Sequence, residues 1–203
     1  MRIGVLALQG AFIEHIGVLR RLGVEAQPVR LPGELSGLDG LIIPGGESTT
    51  ILNLMQNFNL IQPLRELAQA GLPILGTCAG MICLAKKVSN SISNSMETLA
   101  LMDMEVRRNA FGRQVDSFET MLPVSALGNE PFPAVFIRAP IIEGTGPQVE
   151  ILAKLPNGIV VAAKQGKLVA TAFHPELTDD LRLHSYFLKT VASSHSAFGA
   201  EVV

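Results

Sequence analysis

The sequence predicts an α/β domain: an open, mostly parallel sheet with helices on both faces, extended by antiparallel strands in its second half. Three observations lead there. Short unbroken apolar runs such as Leu41-Ile42-Ile43 suit strands buried on both faces of a parallel sheet. Between them, Phe12, Ile16, Leu19 and Leu22 recur at helical spacing. Strand and helix then alternate through the first half, the pattern of a doubly wound sheet. With 203 residues, 48% of them hydrophobic, the chain suits one well-filled domain spanning 1–203.

The elements follow in order. Residues 3–8 form a strand that runs into Gln9-Gly10, and 12–22 a helix. Residues 24–30 form a second strand, closed by Leu31-Pro32-Gly33, and 41–43 a third, ending in Pro44-Gly45-Gly46-Glu47-Ser48. Ser48 is placed to cap the helix that carries Ile51, Leu52 and Met55. A helix over 62–70 precedes the apolar strand leading to Cys78, and a helix follows it. Residues 89–98 read as a polar loop, and 89–101 is rich in Ser and Asn. Shorter runs at 102–107, 115–122, 134–138, 149–155 and 159–163 read as antiparallel strands added to the sheet. A strand over 168–173 and a helix over roughly 180–193 follow, with a fraying tail and no internal repeat.

Composition narrows the function classes. Apolar runs are broken by Gly, Pro or polar residues, so no segment reads as a membrane span, and the amino terminus reads as a strand rather than a leader. A cytoplasmic protein is expected. Two cysteines make no disulfide framework, and four histidines show no metal-ligand spacing with them. A net charge of −2, with no basic cluster beyond the pairs Arg20-Arg21, Lys86-Lys87 and Arg107-Arg108, argues against a nucleic-acid surface. One Tyr and no Trp leave few stacking platforms for single strands.

The chemistry concentrates in Leu75-Gly76-Thr77-Cys78-Ala79-Gly80, a cysteine between strand and helix with a glycine two residues to either side. An abrupt strand-to-helix turn presents its residue at the carboxyl edge of the sheet, and the glycines relieve crowding there. A thiol of ordinary pKa ~8.5 needs a positive field to ionise. The helix start and His174 both supply one. In Phe173-His174-Pro175-Glu176 an imidazole and a carboxylate stand two residues apart, on one side of an extended chain. Nucleophile, base and orienting carboxylate are thus present, and the Ala79 N–H, just after the nucleophile, suits an oxyanion donor. The plainer reading of a lone cysteine is core packing. Cys83, inside the apolar run 81–85, fits that reading better than Cys78.

The constellation Gly76-Thr77-Cys78-Ala79-Gly80 with His174-Pro175-Glu176 resembles the triad-type, class I glutamine amidotransferases. Further blocks narrow the resemblance to the glutaminase subunits of two-subunit pyridoxal 5′-phosphate synthases. They include Gly4-Val5-Leu6-Ala7-Leu8-Gln9-Gly10-Ala11, Pro44-Gly45-Gly46-Glu47-Ser48-Thr49-Thr50, the run from Arg108 to Phe118, Val135-Phe136-Ile137-Arg138-Ala139-Pro140 and Ala162-Ala163-Lys164-Gln165-Gly166. The resemblance implies hydrolysis of L-glutamine through a thioester on Cys78, with His174 as base and acid and Glu176 orienting it. It also implies that Gly46, Glu47, Ser48, Arg108, Ile137 and Arg138 hold the substrate, and that Gly46 and Ala79 form the oxyanion hole. A zwitterionic substrate needs a guanidinium, from Arg108 or Arg138, and an acceptor such as Glu47. No cofactor or metal is implied. The implied partner is a synthase subunit that builds pyridoxal 5′-phosphate from ribose 5-phosphate, glyceraldehyde 3-phosphate and ammonia, in a large hetero-oligomer. Gln9 and Gly10 fall at the implied partner interface, where docking is expected to order the oxyanion loop.

Each residue has a plainer alternative. Gly45-Gly46 is also explained as a turn and Ser48 as a helix cap. Arg138 lies in an apolar run, where a charge needs a partner. His15, beside Glu14, reads as a surface or helix-packing residue; His184 and His195 read as closing-helix residues without catalytic company. Two other functions compete: a glutaminase serving another synthase, and a noncatalytic doubly wound module whose glycine loops grip a phosphate ligand. The segment before Met102-Asp103 lacks the glycine the resemblance leads one to expect.

Overall fold

Residues 1–89, 97–110 and 117–198 are described by the computed structural model, with side chains up to Ser194. The middle of the polar loop, residues 111–116 of the Arg108–Phe118 block, the His195 side chain and the final tail lie outside the described residues.

The first half alternates as its hydropathy predicts: β1 (Arg2–Leu6), α1 (Phe12–Arg21), β2 (Glu25–Val29), β3 (Gly40–Ile43), α2 (Ser48–Asn57), α3 (Ile61–Gln69), β4 (Ile74–Thr77) and α4 (Ala79–Leu84). The second half holds β5 (Ala85–Ser89), β6 (Met102–Arg107), β7 (Ser117–Leu122), β8 (Phe132–Ile137), β9 (Ile141–Thr145), β10 (Glu150–Lys154), β11 (Val160–Gln165), β12 (Leu168–Thr171) and α5 (Arg182–Phe198). Ten strands form one sheet in the order β2-β1-β3-β4-β12-β11-β9-β6-β5, with β10 on β11. β2, β1, β3, β4 and β12 are mutually parallel, and β11, β9 and β6 continue antiparallel.

Burial explains the parallel half. Ile3, Val5, Leu41, Ile42, Ile43, Ile74 and Leu75 are all fully buried, as strands covered on both faces require. The chain passes from β1 to β2 in one direction and from β3 to β4 in the other. Right-handed crossovers therefore put α1 and the α2–α3 pair on opposite faces. α5 joins α1, since His15 meets His184 there, and α4 packs with α2.

The second half departs from expectation in four places. β7 and β8 pair with each other as a separate two-stranded sheet instead of extending the main one. Their alternating burial shows why: β8 turns Phe132, Ala134 and Phe136 inward, and Phe132 and Phe136 pack on Phe173 with ring centroids 5.7 and 5.6 Å apart. β8 also ends at Ile137, one residue before Arg138. β9 joins the sheet where no strand was expected, and the helix after Cys78 stops at Leu84 because Ala85 turns extended into β5. β5 pairs parallel with β6, and the end of the polar loop is pinned by Arg65, which donates to Glu97 Oε1 at 2.8 Å and to the Thr98 carbonyl at 2.6 Å.

Candidate active site

Four parallel strands, β1, β3, β4 and β12, deliver their carboxyl ends to one edge of the sheet. The chain order reverses between β1 and β3, the kind of switch point at which such sheets open a crevice. Gln9-Gly10 leaves β1 there, Gly45–Ser48 leaves β3, Cys78 leaves β4, and His174 and Glu176 follow β12.

Cys78 sits at φ 49°, ψ −103°, a left-handed turn between β4 and α4. For a residue with a Cβ this conformation is strained, and packing on both sides holds it. Its N–H donates to the Thr171 carbonyl at 2.7 Å, and its carbonyl accepts the N–H groups of Met81 and Ile82. Gly76 and Gly80 have no room for a side chain; a Cβ on Gly80 would overlap the Ile43 carbonyl. The glycine bracket thus lets β4, α4 and β3 close tightly beneath the sulfur. The thiol lies 3.7 Å from the Ile137 carbonyl, so β8 forms the opposite wall. Cys83 is fully buried, and burial pushes its thiol up to about 12, which makes it inert.

His174 Nδ1 donates to Glu176 Oε1 at 2.7 Å, and the His174 N–H donates to the Val135 carbonyl at 2.8 Å. The imidazole is therefore fixed from the carboxylate and from β8 together. Burial opposes its charge, yet hydrogen bonds and charges from Cys78 and Glu176 overcome that and raise it to about 10. Burial likewise opposes ionisation of Glu176, but the neighbouring imidazoles hold its carboxyl below the usual range. An imidazolium between a sulfur and a carboxylate is the arrangement of an activated thiol.

The expected substrate residues stand around this centre. Glu47, not Ser48, is the residue before α2, and its carboxylate accepts the N–H groups of Thr49 at 3.0 Å and Thr50 at 2.7 Å. Ser48 is buried as the first residue of the helix. Glu47 also accepts from Arg108 Nη2 at 3.0 Å, so the acceptor and one guanidinium assigned to a zwitterion are paired with each other. Hydrogen bonds from Thr50 and Thr49 outweigh burial and lower its carboxyl to about 2. Gly46 follows a peptide whose carbonyl, on Gly45, accepts the Ala11 N–H at 3.0 Å, and the Glu47 N–H donates to Gln9 Oε1 at 2.7 Å. Ala79 is buried directly after the sulfur. Arg138 is exposed at φ 44°, just past the Ile137 carbonyl, so it is not the buried strand charge its apolar neighbours suggest.

Two histidines depart further from expectation. His15 is fully buried, with Nε2 3.3 Å from Glu176 Oε2, and His184 is fully buried against His15. Both stand in company with the site. Their positions carried a signal: His15 is three residues after Phe12 and His184 three before Phe187, each on the apolar stripe of its helix. Among the described residues no group of His, Cys, Asp and Glu is arranged to hold a metal, and no helix is long and apolar enough to cross a membrane.

Comparison with known proteins agrees with this fold. Residues 5–193 match the SNO glutamine amidotransferase family. A protein of Dehalococcoides mccartyi, named pyridoxal 5′-phosphate synthase subunit PdxT, is 62% identical over 93% of this chain and 96% of its own. One of Moorella thermoacetica with the same name is 59% identical over 94% of this chain and 100% of its own. A crystal structure of a glutamine amidotransferase superimposes with a TM-score of 0.88 at 48% identity, covering 94% of this chain and 98% of that one. On the match across nearly its whole length, the chain belongs to the SNO glutamine amidotransferase family.

Proposed function

We propose that this chain is the glutaminase of a pyridoxal 5′-phosphate synthase, with Cys78, His174 and Glu176 as its reacting groups. The observation that carries the reading is the strained Cys78 turn facing a His174 ring held by Glu176 at 2.7 Å. The Cys78 thiolate attacks the side-chain amide carbon of L-glutamine. His174 protonates the leaving nitrogen as the C–N bond breaks, releasing ammonia and a γ-glutamyl thioester. Water, deprotonated by His174, then cleaves the C–S bond to give glutamate and the free sulfur. The N–H groups of Ala79 and Gly46 serve the oxyanion in both steps.

Substrate fits by interleaving. Arg108 and Glu47 meet each other directly, and a zwitterionic amino acid offers each a replacement partner: its carboxylate to Arg108 and its ammonium to Glu47. Arg138 and the Ile137 backbone close the other side. The partner is a synthase that consumes the ammonia, in line with the name the close relatives carry. Its docking surface includes Gln9 and Gly10. Gln9 accepts the Glu47 N–H on its side-chain Oε1 and the Gly10 backbone lies against the Gly45 carbonyl, so a partner that moves them moves the oxyanion loop. Exposed Ile13 and Leu177, on α1 and the adjoining turn after Glu176, give that surface an apolar component.

The test is glutamate release from L-glutamine by the purified chain, alone and with its cognate synthase, with Cys78→Ala as control. Activity that rises sharply with the synthase and vanishes in the variant supports the reading. Activity that survives loss of Cys78 overturns it.

A further inference from the structure

Glu176 has two carboxylate oxygens, and the triad uses one. Oε1 accepts from His174. Oε2 is buried and faces His15 Nε2 at 3.3 Å, an ion-pair distance without the alignment of a straight hydrogen bond. The same nitrogen lies 3.2 Å from Oγ1 of Thr77, the residue before the nucleophile. On its other side, His15 Nδ1 lies 2.9 Å from His184 Nε2. Three elements meet here: α1 brings His15, α5 brings His184 and β4 brings Thr77. All three side chains are fully buried.

Proton counting favours one arrangement. An ionised carboxylate only accepts, and a bare lone pair on His15 Nε2 would repel it at 3.3 Å, so the arrangement that suits both neighbours puts a hydrogen on Nε2, between Glu176 Oε2 and Thr77 Oγ1. A cationic His15 would stand in a buried cluster that already holds the His174 imidazolium, so His15 is neutral and its Nδ1 offers a lone pair. His184 must then donate to it from Nε2. His184 Nδ1 is left as an acceptor, buried and without a hydrogen-bond partner among the described residues. Burial lowers both His15 and His184 from their ordinary range, the latter to about 3, so both are neutral at neutral pH. The charged and titratable groups facing this cluster are Glu14 beside His15 on α1, His174 and Glu176 after β12, Cys78 beyond His174, and the two histidines themselves.

We propose that His15, backed by His184, is a positioning residue of the reaction. Its Nε2–H holds the second oxygen of Glu176, keeps that carboxylate ionised in a buried place and turns Oε1 toward His174. The inference rests on the assignment of Cys78, His174 and Glu176 as the reacting groups. A buried carboxylate with a single donor drifts toward its neutral form and is free to rotate. A neutral donor prevents both without adding a positive charge beside His174. Groups that hydrogen-bond the ligands of metal sites change activity by about 10–100-fold when removed, and a group that orients a reacting carboxylate is expected to act on the same scale.

The test follows alkylation of Cys78 by iodoacetamide against pH in the full chain, for the wild type, His15→Leu and His15→Gln, with Cys78→Ala as blank. Glutamine carries an amide N–H to about the position of the imidazole Nε2–H. The proposal expects the acid limb of the His15→Leu profile to move up by about one pH unit, because Glu176 protonates more easily. His15→Gln should return most of the way to the wild type. In the synthase complex, His15→Leu should lower kcat by about 10–100-fold with KM unchanged, again rescued by Gln. A folded His15→Leu protein with the wild-type profile overturns the inference, as do equal shifts in Leu and Gln. Should the Leu variant not fold, nitrogen NMR of the wild-type histidines decides. His15 and His184 as neutral Nε2–H tautomers support the proposal, and a cationic or Nδ1–H His15 overturns it. Failure of the underlying assignment looks different: Cys78 itself then alkylates no faster than an ordinary thiol.

Discussion

Gly45 lies against the His174 imidazole so closely that a Cβ placed on it would overlap ring atom Cε1. Neither Gly45 nor Gly46 has a positive φ, so neither is there to make a left-handed turn. Gly45 is the wall on which the His174 ring rests. Its neighbour across the crevice, Gly10, does have φ +100°, and a Cβ on it would overlap the Gly45 carbonyl. The loops after β1 and β3 therefore approach backbone to backbone, and the His174 ring occupies the space that a side chain would take.

Gly45→Ala accordingly is expected to push the ring away from Glu176 and Cys78 while leaving the sheet intact. A displacement near 1 Å in a reacting group lowers turnover by about 100-fold. Steady-state glutaminase kinetics with a circular dichroism spectrum check this; wild-type kcat in the variant would show that the ring has room to yield.

Arg108 and Glu47 separate binding from stability. Arg108→Met removes the charged hydrogen bond proposed to hold the substrate carboxylate, worth about 1.5–3 kcal/mol, so KM should rise by roughly 10–150-fold with little change in melting temperature. Glu47→Ala should raise KM and also melt earlier, since it removes the cap of α2, worth about 1 kcal/mol. The cap is also acid-sensitive. Its carboxyl is lowered to about 2, so its contribution is present above the usual carboxylate pKa and is lost as pH falls toward 2. Melting curves that shift equally for both variants would contradict this division.

The parts of this site that were legible in sequence are those whose evidence is local. Cys78 announces itself because an apolar strand, two glycines and a helix start sit within a few residues. His174 and Glu176 are legible because two residues of extended chain suffice to aim them together. His15 is different: its spacing from Phe12 shows burial, but His184 is 169 positions away and nothing local names it. Arg138 was misplaced because hydropathy does not register the φ of 44° that ends β8. β5 was hidden for a similar reason, since Ala85-Lys86-Lys87 carries no Gly or Pro to mark the helix end. The separate pairing of β7 and β8 depends on Phe173, far along the chain, so alternation alone could not reveal it.

Gln9→Ala tests the coupling of partner to loop. The variant loses the acceptor of the Glu47 N–H, and the β3 loop loses its tether to the end of β1. Stimulation by the synthase is expected to fall by about tenfold, the worth of one such hydrogen bond in the positioned state. The assay compares glutamate release with and without the synthase, and an unchanged ratio would remove Gln9 from the coupling.

The buried histidines set opposite slopes on stability against pH. His184 is lowered from 6.5 to about 3, so below pH 6.5 the unfolded chain takes a proton that the folded one refuses. Stability therefore falls as pH drops from 6.5 toward 3, by about 1.4 kcal/mol per unit for that one proton, and His15 adds in the same direction. His174 is raised to about 10, so its contribution is fully present below 6.5 and is lost as pH rises through 10. For these groups alone the optimum lies near 6.5. His184→Gln keeps a donor for His15 Nδ1 but cannot titrate. Chemical denaturation at a series of acidic pH values should give the variant a slope shallower by one proton, while the alkaline side stays as in the wild type. An unchanged acid slope would mean that His184 accepts a proton inside the folded protein, which would require a partner for its buried Nδ1.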